Sequence, residues 1–234
     1  MGTSFAGSPS TVPDSDAGPA TLTGNVALLT DDSFVHAALY NKGATVTADG
    51  SSGSPVTAAW DSPGPYVLEG VEREATNWVS VKPDQVGGDP LPTYQAVQTR
   101  LDTNVDLQLV SGSTLDGIFT AVSTLRSPDS GQVVLFFRSA GTGAPLAGLH
   151  VTMASAQTTI YAATSGWVFD DGTAITNQSG LVVFGNVEPA NASGTQTGVV
   201  TRAATTTTPA SAAGQFAVKV VEGAVTIATG EVQL

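Results

Sequence analysis

The chain reads as an all-β protein: two antiparallel β-sandwich domains in tandem, with one short helix in the segment between them. Three observations lead there. Thr and Val make up 31 and 28 of the 234 residues, and Gly and Pro add 26 and 13; these are strand and turn formers, and they exclude a helical bundle, a coiled coil and a doubly wound α/β fold. Short apolar or alternating runs recur about every ten residues between turn clusters, the spacing of a sandwich or barrel. One order of motifs also occurs twice, at a period too long for a solenoid.

In chain order, residues 2–20 (GTSFAGSPSTVPDSDAGPA) hold too little apolar surface to offset their ordering entropy and read as a flexible leader. Strands are then expected at Thr23–Thr30, Phe34–Tyr40, Ala44–Ala48, Val56–Trp60, Tyr66–Leu68 and Asn77–Val81. Tyr94–Leu101 reads as one or two helical turns or irregular chain, and Val105–Val110 alternates as a strand. Leu115, Ile118, Phe119, Val122 and Leu125 repeat at spacings of three and four, so a helix is expected there with Ser113 or Thr114 as its N-cap. Strands resume at Val133–Arg138, Leu149–Met153, Thr158–Ala163, Gly166–Phe169, Gly180–Phe184 and Thr197–Thr201. Ala203–Ala213 is a low-complexity loop. Phe216–Val221 and Ala224–Ala228 close the chain around Glu222-Gly223, which has the look of a hairpin turn. The organisation expected is a leader (1–20), a first sandwich (21–130) with an inserted strand and helix over 86–130, and a second sandwich (131–234).

The repeat aligns Gly43-Ala44-Thr45-Val46 with Gly148-Leu149-His150-Val151, and Gly64–Val71 with Gly180–Val187. Pro145-Leu146-Ala147-Gly148-Leu149-His150-Val151 resembles the P-L-x-G-x-x-V opening of carboxypeptidase regulatory-like domains. Thr176-Asn177-Gln178-Ser179-Gly180 through Val187 resembles their T-(D/N)-x-x-G centre, and Phe216-Ala217-Val218-Lys219-Val220 their closing Y-x-V-x-V. The resemblance covers 132–234 well and 21–84 more loosely, where Asp61-Ser62-Pro63-Gly64-Pro65-Tyr66 stands for the central element without its Thr. It implies a seven-stranded, prealbumin-like (transthyretin-like) sandwich of the kind found in tandem on bacterial secreted and surface proteins, usually without catalysis.

Eight Lys plus Arg against twenty Asp plus Glu leave a net charge of −12. That excludes a basic face for nucleic acid or for an anionic membrane. Cysteine is absent, which removes disulfides, thiolate metal sites and cysteine nucleophiles. No apolar run approaches the ~20 residues of a membrane helix, and no signal peptide is visible. Met1 equally suits a start left after a signal or a lipidated cysteine was removed, so the one membrane tether expected is an N-terminal lipid.

Candidate chemistry is sparse. Adjacent carboxylates at Asp170-Asp171, and at Asp31-Asp32, are the residue type that holds Ca²⁺. Neither pair is followed by the D-x-D-x-D-G spacing of a calcium loop, so a solvated turn is the competing reading. Asp14 and Asp16 lie in the leader. His36 and His150 are the two histidines, 114 positions apart in different copies, which argues against a shared metal or a Ser-His-Asp triad. Glu69, Glu72 and Glu74 are close enough in sequence to suggest a glycosidase pair, and a charged loop otherwise. Trp60, Trp78 and Trp167 sit in strand patterns, so packing competes with sugar stacking. Asn177-Gln178-Ser179 and Asn191-Ala192-Ser193 match the glycosylation sequon.

The expected role is therefore a non-catalytic, extracytoplasmic structural or interaction protein, without a cofactor, whose partner is a protein or a surface glycan. The alternative is a glycan- or calcium-binding module. An enzyme would require a pocket in which His36 or His150 meets a carboxylate.

Overall fold

The computed structural model of the chain describes residues 18–50, 54–85, 89–100, 102–189, 194–204 and 209–233. Most of the leader, the lipid-tether position, Asp14, Asp16 and the sequon at Asn191 lie outside them. The chain divides between Gly117 and Ile118 into two compact units.

The N-terminal unit contains β1 (Ala20–Gly24), β2 (Val26–Leu29), β3 (Ala37–Leu39), β4 (Ala44–Asp49), β5 (Val56–Trp60), β6 (Tyr66–Val71), β7 (Ala75–Pro83), β8 (Thr93–Thr99), β9 (Thr103–Asn104) and β10 (Leu107–Val110). One layer is β6–β1–β9 continued by β10–β2–β3, and the other is β5–β4–β7–β8. Alternation explains the pairing of faces: in β4, Ala44, Val46 and Ala48 are buried while Thr45, Thr47 and Asp49 are not. The inward residues form one core with Leu22, Trp60, Tyr66, Leu68, Val79, Val81 and Leu107. Between β1 and β2 the chain kinks at Asn25, whose N–H is received by Asp106 Oδ1 at 2.8 Å. A Cβ on Gly24 would stand 2.0 Å from the Val105 carbonyl oxygen, so the kink admits only glycine. The Tyr66 hydroxyl donates to that same carbonyl at 2.6 Å.

Helix α1 (Gly112–Ala121) follows. Leu115, Ile118 and Phe119 are its buried stripe. The C-terminal unit then contains β11 (Gly131–Ser139), β12 (Leu149–Thr152), β13 (Ala156–Ala163), β14 (Gly166–Phe169), β15 (Leu181–Val187), β16 (Thr195–Arg202), β17 (Ser211–Lys219) and β18 (Val225–Val232). Its layers are β14–β13–β15–β11–β18 and β12–β16–β17. β15 is buried at every position. Phe184 packs between the layers against Phe216 (ring centroids 5.9 Å apart), and Phe216 meets Phe137 edge-on at 6.1 Å. The next residue, Gly185, faces Phe119, whose ring lies 2.3 Å from where a Cβ would stand.

Both units share one connectivity. The opening strand is flanked on one side by an antiparallel neighbour, β6 or β15. On the other side runs the closing strand, and it runs parallel: β9 and β10 beside β1 and β2, β18 beside β11. The aligned Gly64–Val71 and Gly180–Val187 segments lead into β6 and β15, and the aligned Gly43 and Gly148 precede β4 and β12. The copies differ in the next strand, since β5 pairs with β4 whereas β13 pairs with β15 in the opposite layer.

The all-β sandwich with one short helix thus forms, with several local corrections. Tyr94–Leu101 is described as far as Arg100, and that part holds no helical turn: Thr93, Val97 and Thr99 are buried, and β8 runs antiparallel to β7. Phe34–Tyr40 is strand only over Ala37–Leu39, because Asp31–Phe34 form a turn closed by Phe34 N–H to Asp31 C=O at 3.3 Å. Glu222-Gly223 is not a hairpin, because β17 and β18 belong to different layers; the closing strand crosses over to lie beside β11. Helix α1 starts earlier than expected, with Ser111 in the N-cap position; Asp89 Oδ1 receives the Gly112 N–H at 2.9 Å, and Asp89 Oδ2 the Ser111 hydroxyl at 3.0 Å. It also stops earlier. Ser123 adopts φ 57°, and the N–H groups of Ser123 and Thr124 return to the carbonyls of Thr120 and Phe119, both at 3.0 Å. This Schellman closure turns Leu125 out of the stripe and leaves it 82% exposed.

Candidate functional site

Each histidine meets one carboxylate, in its own unit. His36 Nδ1 is bonded to Asp31 Oδ2, and Asp31 Oδ1 accepts the Ser33 hydroxyl at 2.8 Å. The hydrogen bonds from Ser33 and then His36 hold the Asp31 carboxyl below its usual range. The order is serine–aspartate–histidine, so the hydroxyl never reaches the imidazole that a nucleophile needs as its base. The His36 side chain is also 78% exposed.

His150, on β12, stacks at 17° on Tyr161 of β13, and its Nε2 lies 3.3 Å from Asp170 Oδ2 without hydrogen-bond geometry. The Tyr161 hydroxyl accepts the Val151 N–H at 2.7 Å and donates to the Val151 C=O at 3.0 Å, which joins the two layers. Burial pushes its pKa up, as it does for Tyr66.

Asp170 and Asp171 sit directly after β14. Asp170 Oδ1 accepts the Gly172 N–H at 2.9 Å. Asp171 Oδ1 accepts both the N–H and the hydroxyl of Thr173, at 3.0 and 2.6 Å, and these bonds lower its pKa. Both carboxylates therefore shape their own turn. Among the described residues no group of three His, Cys, Asp or Glu side chains is placed to hold a metal.

The other candidates scatter. Trp60 is buried, donates its indole N–H to the Gly64 carbonyl and stacks on Tyr40. Trp78 and Trp167 are half-buried, and Glu69, Glu72 and Glu74 line the end of β6 and the turn that follows. Asn177 builds a turn: its Oδ1 accepts the Ser179 N–H and hydroxyl. Thr176, buried, accepts the Leu149 N–H and donates to the Leu146 carbonyl. Gly180 closes the motif at φ 68°, where a Cβ would stand 2.4 Å from the Phe137 carbonyl oxygen. The Thr-Asn-x-x-Gly motif is thus an entry turn to β15, fully explained by its hydrogen bonds.

Two features have no counterpart in the sequence reading of candidate sites. One is a cleft of about 380 Å³ in the N-terminal unit, lined by Leu28, Leu39, Tyr40, Lys42, Asp89 and Ser111. Its residues come from strands, loops and the helix start, with no shared spacing to reveal them. The other is the hairpin β13–β14. β14 ends its sheet, contains neither charge nor proline, and exposes Val168 and Phe169 by 39% and 51%. The sequence signal for it was present, an uncharged apolar strand bounded by Gly166 and Asp170, but edge position is set by the sheet order.

No family model matches the chain, and no curated protein matches it. Among solved structures, the shaft pilin SpaA from Lactobacillus rhamnosus GG superposes with a TM-score of 0.24 at 11% identity, over 91% of this chain and 98% of that one. The Streptococcal ancillary pilin gives 0.25 at 13%, over 91% and 62%. GBS52, the minor pilin of Streptococcus agalactiae, gives 0.26 at 10%, over 92% and 95%. Likeness at this level carries no functional inference. No helix among the described residues is long and apolar enough to cross a membrane.

Proposed function

We propose that this chain is a non-catalytic structural and interaction module of the bacterial cell exterior, acting in adhesion or protein–protein contact through the edge of β14. The place of β14 at the end of its sheet order, with Val168 and Phe169 exposed, carries the reading. Natural sheets blunt their edges with charge, proline or a bulge, and an uncharged, apolar edge strand is where an extended segment adds. The Asp170-Asp171 turn at its end and the net charge of −12 favour a cationic segment as the partner. The resemblance to carboxypeptidase regulatory-like domains supports the extracytoplasmic setting. Among the described residues, no hydroxyl is hydrogen-bonded to the imidazole of either His–Asp pair.

An extended peptide alternating Lys and Val is the probe. Amide shifts on its addition should be largest over Gly166–Phe169 and should weaken with salt. Val168→Lys combined with Phe169→Lys should abolish them while leaving the melting temperature unchanged. Shifts elsewhere, or binding that survives the double substitution, would remove the reading.

The cleft beside Tyr40 favours a second reading, a glycan-binding module, since a carboxylate, an ammonium and aliphatic walls converge there. Heat on titration with a glycan panel, lost in Lys42→Ala, is its expected signature. The calcium form of that reading would use Asp170 and Asp171, and it predicts a fall in melting temperature on adding a chelator.

A further inference from the structure

The two faces of the sheet β5–β4–β7–β8 differ in kind. Its inward residues, among them Val46, Trp60, Val79 and Val97, belong to the core of the N-terminal unit. On β7 the buried positions are Asn77, Val79, Val81 and Pro83, so Trp78 projects from the opposite face and is half-buried there. On β8 the buried Thr93, Val97 and Thr99 put Tyr94 on the same outward face. Trp78 pairs with Ala96, and Ser80 with Tyr94. The two aromatic residues are therefore diagonal neighbours on adjacent strands, a spacing of roughly 7–8 Å that side chains of this size reach across.

The rest of that face is short and hydroxylic. Thr47 pairs with Thr57 on β5 and with Ser80 on β7, and the two threonine hydroxyls are bonded at 3.1 Å. The Thr76 hydroxyl donates to Gln98 Oε1 at 3.0 Å. Branched side chains tied in this way keep few rotamers, so little order remains to be imposed by a ligand. The charged outward residues of these strands are Asp49, across the ladder from Trp78, and Lys82. One of each sign leaves the face neutral in a chain of net charge −12. We propose that this face binds a neutral glycan chain: Trp78 and Tyr94 stack on the apolar faces of sugar rings, and the Thr, Ser and Gln side chains exchange hydrogen bonds with sugar hydroxyls. Charge complementarity selects the occupant. A neutral face gives no steering to a cationic peptide or an anionic polymer, and hydroxyls in place of aliphatic side chains give little to an apolar protein surface. Four strands span roughly 14 Å at the interstrand spacing, room for a short run of sugar units. The face shares no residue with the cleft beside Tyr40 or with β14, so the proposal depends on neither reading above.

Calorimetric titration of the full chain with cellohexaose, maltohexaose and chitohexaose tests it, with an anionic oligogalacturonate as the comparison. At least one neutral oligosaccharide should give heat and change the tryptophan fluorescence. Trp78→Ala should weaken that binding roughly tenfold, and Trp78→Phe, which keeps a ring, should retain most of it. Ala96→Glu, at an exposed position opposite Trp78, should block the platform while the melting temperature stays unchanged. Lys42→Ala, in the cleft, should leave the binding as it was. No heat with any of the three neutral oligosaccharides overturns the proposal, as does binding that survives both Trp78→Ala and Ala96→Glu. Loss of binding in Lys42→Ala with retention in Trp78→Ala assigns the glycan to the cleft and overturns it too. Tighter binding of the oligogalacturonate than of every neutral chain does the same.

Discussion

At the scale of the residue, small side chains and local hydrogen bonds decide where the chain can pass. Gly185 is glycine because Phe119 occupies the place of its side chain. Gly185→Ala should therefore destabilise the fold by about 1–3 kcal/mol, read as a shift of the urea midpoint at constant slope. Asp31 offers a pH-dependent counterpart. Its pKa is lowered by hydrogen bonds from Ser33 and His36. A carboxyl held low in the folded state contributes order above its unfolded-state pKa and loses it as pH falls through the folded-state value. The Asp31 carboxyl resonance should accordingly titrate below the usual aspartate range, and Ser33→Ala should move its midpoint up. A midpoint indifferent to that substitution would show that Ser33 does not hold the carboxylate. None of this was readable beforehand. Asp31-Asp32 reads as a carboxylate pair, whereas the folded turn sends Asp31 to His36 and Ser33.

At the scale of the element, local sequence predicts type well and ends poorly. The Leu115, Ile118, Phe119 stripe made α1 legible, because three- and four-residue spacing puts one face inward whatever that face meets. Its boundaries depend on groups far away. Asp89, 23 positions before Gly112, supplies the capping carboxylate, and no capping motif in the chain announces it. Asp89→Ala should cost about 0.5–2 kcal/mol and increase amide exchange in the first turn of α1. If the protection of residues 112–115 is unchanged, Ser111 alone caps the helix. Tyr94–Leu101 failed for the opposite reason. Its apolar content is low, and it becomes strand β8 through its ladder with β7. Tertiary pairing there outweighs a weak local preference. The Thr176–Gly180 turn was readable as a motif because the bonds that shape it, from Ser179 to Asn177 Oδ1 and from the Leu181 N–H to the Ser179 hydroxyl, are local.

At the scale of the whole molecule, each unit is held by contacts between layers and between chain ends. Tyr161 spans the two layers of its unit with a hydroxyl that both accepts from and donates to Val151. Tyr161→Phe leaves both backbone groups buried and unpaired, and should lower stability by about 1–3 kcal/mol in chemical denaturation. A near-neutral substitution would mean that water replaces the hydroxyl. Composition, turn chemistry and alternation were sufficient for the fold class, for most strands and for the doubled motif order. Those signals are local, and an alternating run buries one face in any sandwich. The parallel closure of each unit, the layer chosen by β5 and by β13, the place of β14 at the end of its sheet and the cleft beside Tyr40 come from the assembled fold. Each depends on partners far apart in the chain, as when Thr21 and Asn25 meet Asp102 and Asp106 across 81 positions. Period-two alternation specifies which side of a strand faces inward, but it carries no record of the neighbour in the sheet. That choice follows from packing the whole core at once.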